Sequence, residues 1–223
     1  MRDWIEGDNI NYDYILRYIR ATLPQSGGLL KEMEEYAEKH SVPISQPESI
    51  RFLEVIIKIA NAKKILEVGS AIGYSAIRMS LASKGEVTTI ELSDEMADLA
   101  EENIKAAGLS DKITLLRGDA REVMPGIDGE FDLIFVDAAK GHYMEFFDQS
   151  LRLLKQGGIL VSDNVLYKGM TATDELLVHR KITLVKRLRS YLEMLRDTDE
   201  FSTSLIPIGD GIALSFRESE RKE

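Results

Sequence analysis

The sequence predicts an α/β protein built on a mostly parallel sheet, and three observations carry that expectation. Short apolar runs ending in acids or turn formers recur at 65–68, 87–90, 113–116, 133–136 and 159–161. Helix-length segments separate them, which is the alternation of a parallel sheet covered on both faces. The chain closes with two further apolar runs, 203–208 and 212–216, around Gly209-Asp210-Gly211. Two such runs about a glycine turn read as an antiparallel hairpin.

The elements follow in order. A helical region covers about 12–40 and is broken at Pro24-Gln25-Ser26-Gly27-Gly28, where turn formers cluster. A loop punctuated by Pro43 and Pro47 leads into a helix with Ile50, Leu53, Ile56 and Ile57 on one face. Between the strands, helices are expected at 74–82, 94–107, 120–124 and 143–154, with Gly108 and Gly157-Gly158 as C-terminal stops. A long helix at about 174–196 precedes the hairpin. No repeat or linker divides the chain, so one domain over 1–223 is expected. Within it, a helical extension takes about 10–60 and the α/β core about 63–217.

Composition narrows the classes. Hydrophobic content of 44% with 30% charged residues is that of a globule, not of a disordered chain. No apolar run exceeds strand length, so no membrane span is expected. The first residues are polar and acidic where a secretory leader is apolar. Cysteine is absent, which excludes disulfides and thiolate chemistry and agrees with a cytoplasmic location. Three histidines are too few for a multi-histidine zinc centre. A net charge of −10 argues against broad nucleic-acid binding. One local exception stands out, the basic set Lys168, Arg180, Lys181, Lys186, Arg187 and Arg189. Those side chains are candidates for RNA phosphate contacts, or for a solvated helix face paired with Glu175 and Glu193.

The first strand carries the most informative motif. Lys64 to Val68 ends in Glu67-Val68-Gly69-Ser70, followed by a loop into a helix at Tyr74-Ser75. Glu91 closes the next strand. Strand, glycine loop, helix and a later acid suit an adenosine, the acid taking the ribose hydroxyls. The loop lacks the G-x-G-x-x-G pattern of dinucleotide sites, and no Gly-Lys-Ser/Thr holds a triphosphate. The fit is to a nucleoside with an amino-acid tail, S-adenosylmethionine. Asp119 ends the third strand, either at the adenine edge or as a helix cap, and Ala120 leaves room for a flat base.

A second cluster lies at the ends of the fourth and fifth strands. Asp137 is followed by Lys140, and Asp163-Asn164 close the next run. Neighbouring strands lie ~4.8 Å apart, so the tips can bring these oxygens together. Two carboxylates and an amide suit a hard divalent ion such as Mg²⁺. Beside such an ion the ammonium of Lys140 is disfavoured, which suits it as a general base.

Together these motifs resemble the Mg²⁺-dependent class I O-methyltransferase family that includes the catechol and caffeoyl-CoA enzymes. The resemblance runs from about 12 to 216 and rests on the Glu67–Ser75 and Asp137–Lys140 segments, Ser162 to Gly169, and Pro207 to Gly211. It implies a Rossmann-like fold with a seven-stranded sheet, and a homodimer. It also implies that Ser45, Glu67, Gly69, Ser70, Ser75, Glu91, Ala120 and Asp137 line the S-adenosylmethionine site. Asp137, Asp163 and Asn164 would be metal ligands, and Lys140 the base. The segment 64–79, Asn164 to Gly169 and the basic helix resemble the branch that methylates 5-hydroxyuridine at the tRNA wobble position. A small catechol-like or phenolic acceptor is the alternative. A nicotinamide oxidoreductase and a non-catalytic RNA-binding module are weaker alternatives, because neither needs the oxygen-ligand triad.

Overall fold

A computed structural model gives the fold of residues 10–138 and 140–219, the side chain of Lys140 excepted. Three helices come first: α1 (Asp13–Thr22), α2 (Leu29–His40) and α3 (Pro47–Ile59). Pro47 opens α3, where its missing N–H costs nothing. Strands and helices then alternate: β1 (Lys64–Val68), α4 (Tyr74–Ser83), β2 (Glu86–Glu91), α5 (Asp94–Ala106), β3 (Ile113–Arg117), α6 (Ala120–Val123), β4 (Phe131–Val136), α7 (Tyr143–Leu153) and β5 (Leu154–Ser162). The chain ends with α8 (Ile182–Asp197), β6 (Phe201–Ile206) and β7 (Ile212–Arg217). Among the described residues no helix is long and apolar enough to cross a membrane.

The strands form one seven-stranded sheet in the order β3-β2-β1-β4-β5-β7-β6. Pairings from β3 through β5 are parallel, and β7 runs antiparallel to both β5 and β6. The fold class expected from the sequence is the one observed. Strand order reverses direction between β1 and β4, which is where open α/β sheets bind ligands.

Alternate residues of each central strand enter opposite cores. Ile65, Val87, Leu133, Phe135 and Val161 pack with α3, α4 and α5 residues such as Ile57 and Ile77. Leu66, Ile90, Ile134, Val136 and Leu160 pack on the other face with Phe147 of α7 and Leu188 of α8. The sheet is therefore dry on both sides, as a parallel sheet must be.

Register turns this alternation into a row. Glu67 pairs with Thr89 on one side and Phe135 on the other, and Phe135 pairs with Val161. Two residues further along each strand stand Glu91, Gly69, Asp137 and Asp163. Ladder bonds continue to that level: the N–H of Gly69 donates to Ile90, that of Asp137 to Val68, and that of Asp163 to Val136, all 2.9–3.0 Å. Gly69 is the one position in the row that bears no side chain. Its φ is +98°, and a Cβ there would collide with the backbone carbonyl of Asp137. The loop glycine thus serves close packing of β1's end on the tip of β4.

Two expectations shift. Helix α7 passes into β5 at Leu154 without a glycine stop, because Leu154 is already extended and pairs with Phe131. Gly157 and Gly158 fall inside β5, at a register irregularity in its pairing with β4. Helix α8 starts at Ile182, not near 174, after an extended Val178 and a 3-10 turn at His179–Lys181. The intervening chain is held instead by Arg189, which donates to the carbonyls of Met170 and Thr171 and pairs with Asp174 at 2.7 Å.

Gly69 and Gly108 both have positive φ, yet only Gly69 lacks room for a side chain. Gly69→Ala is expected to cost about 3 kcal/mol or more of unfolding free energy. Gly108→Ala should cost about 1 kcal/mol. Urea denaturation measures both, and equal losses would discount the approach to Asp137.

Candidate active site

Glu67 stands on β1 two residues before Gly69, one level behind the row, and is fully buried. Thr89, its neighbour across the β1–β2 ladder, donates its hydroxyl to Oε2. Oε1 has no hydrogen-bond partner within the protein. Burial pushes the Glu67 carboxyl up to about 7; the Ser75 and Thr89 hydroxyls draw it down, while the charges of Asp137 and Glu91 push it further up. An acid kept partly protonated by burial and like charge is stabilised in its ionised form by an adjacent cation.

Of the other residues expected around an adenosine, Ser70 and Ser75 follow β1, Glu91 ends β2, Asp119 follows β3, and Ser45 lies before α3. Ser70 and Ser75 are buried at the loop and first turn after β1, and Ser45 is buried in the loop before α3. The Oγ atoms of Ser45 and Ser70, like Oε1 of Glu67, are buried without a partner in the protein. Buried polar atoms are almost always hydrogen-bonded, so these three donors and acceptors fit a polar ligand against this edge. Glu91 closes β2 with its carboxylate turned toward the β1 loop. Its Oε2 accepts from the N–H groups of Ser70 and Ala71 at 3.2 and 2.7 Å, and Oε1 from Ser93 at 2.8 Å. The acid expected to meet ribose hydroxyls therefore also shapes the loop. Asp119 caps α6, accepting from the Arg121 N–H at 2.9 Å and pairing with its guanidinium. The Arg121 bonds hold its carboxyl down to about 2. Ala120 is buried in the core beside it.

On the β4–β5 side, Asp137 and Asp163 occupy equivalent positions at adjacent tips. Asp163 is buried, and its Oδ1 accepts from the Asn164 N–H at 2.7 Å. Asn164 takes the left-handed conformation, φ +60°, which asparagine tolerates better than most residues. Among the described residues no three acids or histidines converge on one point; the donor set here is two carboxylates and one amide. That oxygen set fits a hard divalent ion. Lys140 begins the 3-10 turn that follows, and its side chain lies outside the described residues.

Three residues of this edge were missed in the sequence. Tyr143, buried in the first turn of α7, donates its phenol to the Asp163 carbonyl at 2.6 Å. Burial, then the charges of Asp137, Asp163 and Asp210, hold its pKa well above the usual phenol. Tyr191 of α8 bonds Ser162 at 2.6 Å, one residue before Asp163. Thr89 could have been found, since it lies two residues before Glu91 and shares its face of β2.

The basic residues divide. Arg189 braces the 170–174 segment, as described above, and Arg187 donates to the Gly141 carbonyl at 3.1 Å. The Lys181 ammonium lies 5.8 Å from the centroid of the Tyr167 ring, within cation–π range. The backbone N–H of Lys168 is held by Asp210. Arg180 and Lys186 are exposed on the surface.

Comparison with known proteins agrees with this geometry. A family model described as O-methyltransferase matches residues 22–218. The chain is 34% identical to a putative caffeoyl-CoA O-methyltransferase of Arabidopsis thaliana, covering 91% of this chain and 86% of that one. It is 32% identical to a catechol O-methyltransferase of Niastella koreensis, covering 86% and 90% respectively. The SAH-bound methyltransferase structure from Podospora anserina superposes with a TM-score of 0.85 at 26% identity, covering 93% of this chain and 95% of that one. The chain belongs to the O-methyltransferase family and is an S-adenosylmethionine-dependent enzyme.

Proposed function

We propose that the protein methylates one hydroxyl of a small aromatic acceptor bearing adjacent oxygens, in a reaction that depends on a divalent cation. The observation that carries this reading is the set of acids at the sheet edge, three of them at one level and Glu67 one step behind. Glu67 and Glu91 lie on the donor side, Asp137 and Asp163 on the acceptor side, and Gly69 between them leaves the seam narrow. Relatives named as catechol and caffeoyl-CoA O-methyltransferases support a small phenolic acceptor over a tRNA wobble uridine. 5-Hydroxyuridine offers the same pair of oxygens. Its distinguishing support is the basic helix, where Arg187 and Arg189 already bond backbone carbonyls of Gly141, Met170 and Thr171.

In this reading Ser45, Ser70 and Ser75 hold the amino-acid tail and the loop side of the donor, and Glu91 the ribose. The Glu67 carboxylate balances the positive charge of the donor. Asp137, Asp163 and Asn164 would hold Mg²⁺ or a similar ion, which supplies a lowered pKa at the acceptor hydroxyl. Lys140 receives the hydroxyl proton. The acceptor oxygen then forms a bond to the methyl carbon as the carbon–sulfur bond breaks, leaving S-adenosylhomocysteine. Opposite charges on oxygen and sulfur cancel as the bond forms, so a site walled by dry sheet residues favours the step.

Catechol or caffeate supplied with S-adenosylmethionine and Mg²⁺ should therefore be methylated, and exhaustive chelation should stop turnover. Asp163→Asn is expected to lower kcat/KM by a factor of roughly 10² or more. Methylation of 5-hydroxyuridine-containing tRNA with none of catechols would reverse the choice of acceptor. Cofactor binding should also depend on pH with a definite sign. Glu67 keeps its proton up to about pH 7 in the folded protein, and a cationic ligand prefers the ionised form. Affinity for S-adenosylmethionine should rise by up to about tenfold per pH unit below 7 and level off above it. Calorimetric titration across pH 5 to 7.5, at roughly half-unit steps, reads this slope. Glu67→Gln should bind more weakly at the upper end and lose the slope, and an unchanged slope would remove Glu67 from the donor site.

A further inference from the structure

The β6–β7 turn contacts both halves of the site from outside the row. Asn11 reaches the Pro207 carbonyl at 2.9 Å, and Gly209 packs on Ser49 in the first turn of α3, just after the Ser45 loop. On its other side, Gly211 packs against Leu166 so closely that a Cβ would not fit. The turn's backbone accepts twice from the segment after Asn164. Val165 donates to the Gly211 carbonyl at 2.9 Å and Leu166 to that of Asp210 at 3.0 Å.

The segment these bonds secure is strained. Tyr167, Lys168 and Gly169 have φ of +45°, +55° and +81°, so three successive residues lie in the left-handed region. Two are not glycine, and each such residue costs about 1–3 kcal/mol unless its surroundings hold it. Asp210 supplies that hold: its Oδ1 accepts from the Lys168 N–H at the middle of the run. The turn is thus tied to the segment that follows β5 both by its backbone and by the Asp210 side chain.

We propose that Asp210 is a positioning residue for the acceptor side of the site. From the hairpin turn it fixes the left-handed run Tyr167–Gly169 and so sets Asn164 and the strand tip against which the acceptor is held. The assignment of that side to the acceptor rests on the function proposed above; the hold on the loop does not. The hydrogen bond needs an acceptor atom at the Oδ1 position, not a charge, so asparagine should replace the aspartate.

The test compares wild type, Asp210→Ala and Asp210→Asn by hydrogen exchange and by kinetics. In Asp210→Ala, exchange at Leu166 and Lys168 should quicken at least roughly tenfold, with β1 through β4 unchanged as the internal reference for folding. Acceptor KM should rise about tenfold while affinity for S-adenosylmethionine stays within about twofold. Asp210→Asn should restore both. Unchanged exchange at Lys168 in Asp210→Ala would overturn the proposal, as would an asparagine variant as defective as the alanine one. Equal loosening throughout the molecule would also overturn it, leaving only a general role in stability. Wild type that methylates no phenolic acceptor would refute the acceptor class, and the exchange result would still decide the role of Asp210.

Discussion

The site depends on the register of β1 against its two neighbours. Glu67 pairs with Thr89 and Phe135, and from that alignment Glu91, Gly69, Asp137 and Asp163 reach one level of the sheet. A slip of one residue in either pairing would turn an acid toward the opposite core. The register is secured by burial on both faces: Ile65 and Leu66 each enter a separate dry core, so neither can exchange places. Gly69 completes the arrangement by letting the β1 loop lie against the Asp137 carbonyl.

Grouping carboxylates on one edge has an electrostatic consequence. Glu67 feels both Asp137 and Glu91, and Tyr143 feels Asp137, Asp163 and Asp210. Negative charge so placed adds to burial in disfavouring ionisation of Glu67 and Tyr143, and it favours cationic ligands. A sulfonium donor and a divalent ion are both cations, and an edge of this kind favours them over the pyrophosphate of a dinucleotide. Burial does most to raise the Glu67 carboxyl and the neighbouring acids add to it, so a positive ligand complements this edge.

The basic residues of the 179–189 segment take different partners in the fold. Read along the chain, the run from His179 to Arg189 is the most basic segment of an acidic protein. In the fold, Arg189 binds the 170–174 segment, Arg187 the Gly141 carbonyl, and Lys181 lies near the Tyr167 ring. Each tethers a piece of chain that follows β4 or β5. Arg189, Arg187 and Lys181 thus brace chain bordering the site, while Arg180 and Lys186 stay exposed on the surface.

The sequence by itself determined the strand–helix alternation, the closing hairpin and the acids at the strand ends, because each depends on local periodicity and on turn residues. Glu67, Glu91, Asp137, Asp163 and Asn164 were legible for that reason. The ends of β5 and α8 were not. Glycines at 157–158 stop a helix only where no strand partner claims the chain, and Phe131 claims it at Leu154. Only tertiary structure decided that the acids share one row, since register arises from packing between strands far apart in sequence. The same holds for Tyr143 and Asp210, whose partners lie 20 and 42 residues away. No local pattern encodes a contact of that span; burial and the closing of the sheet create it.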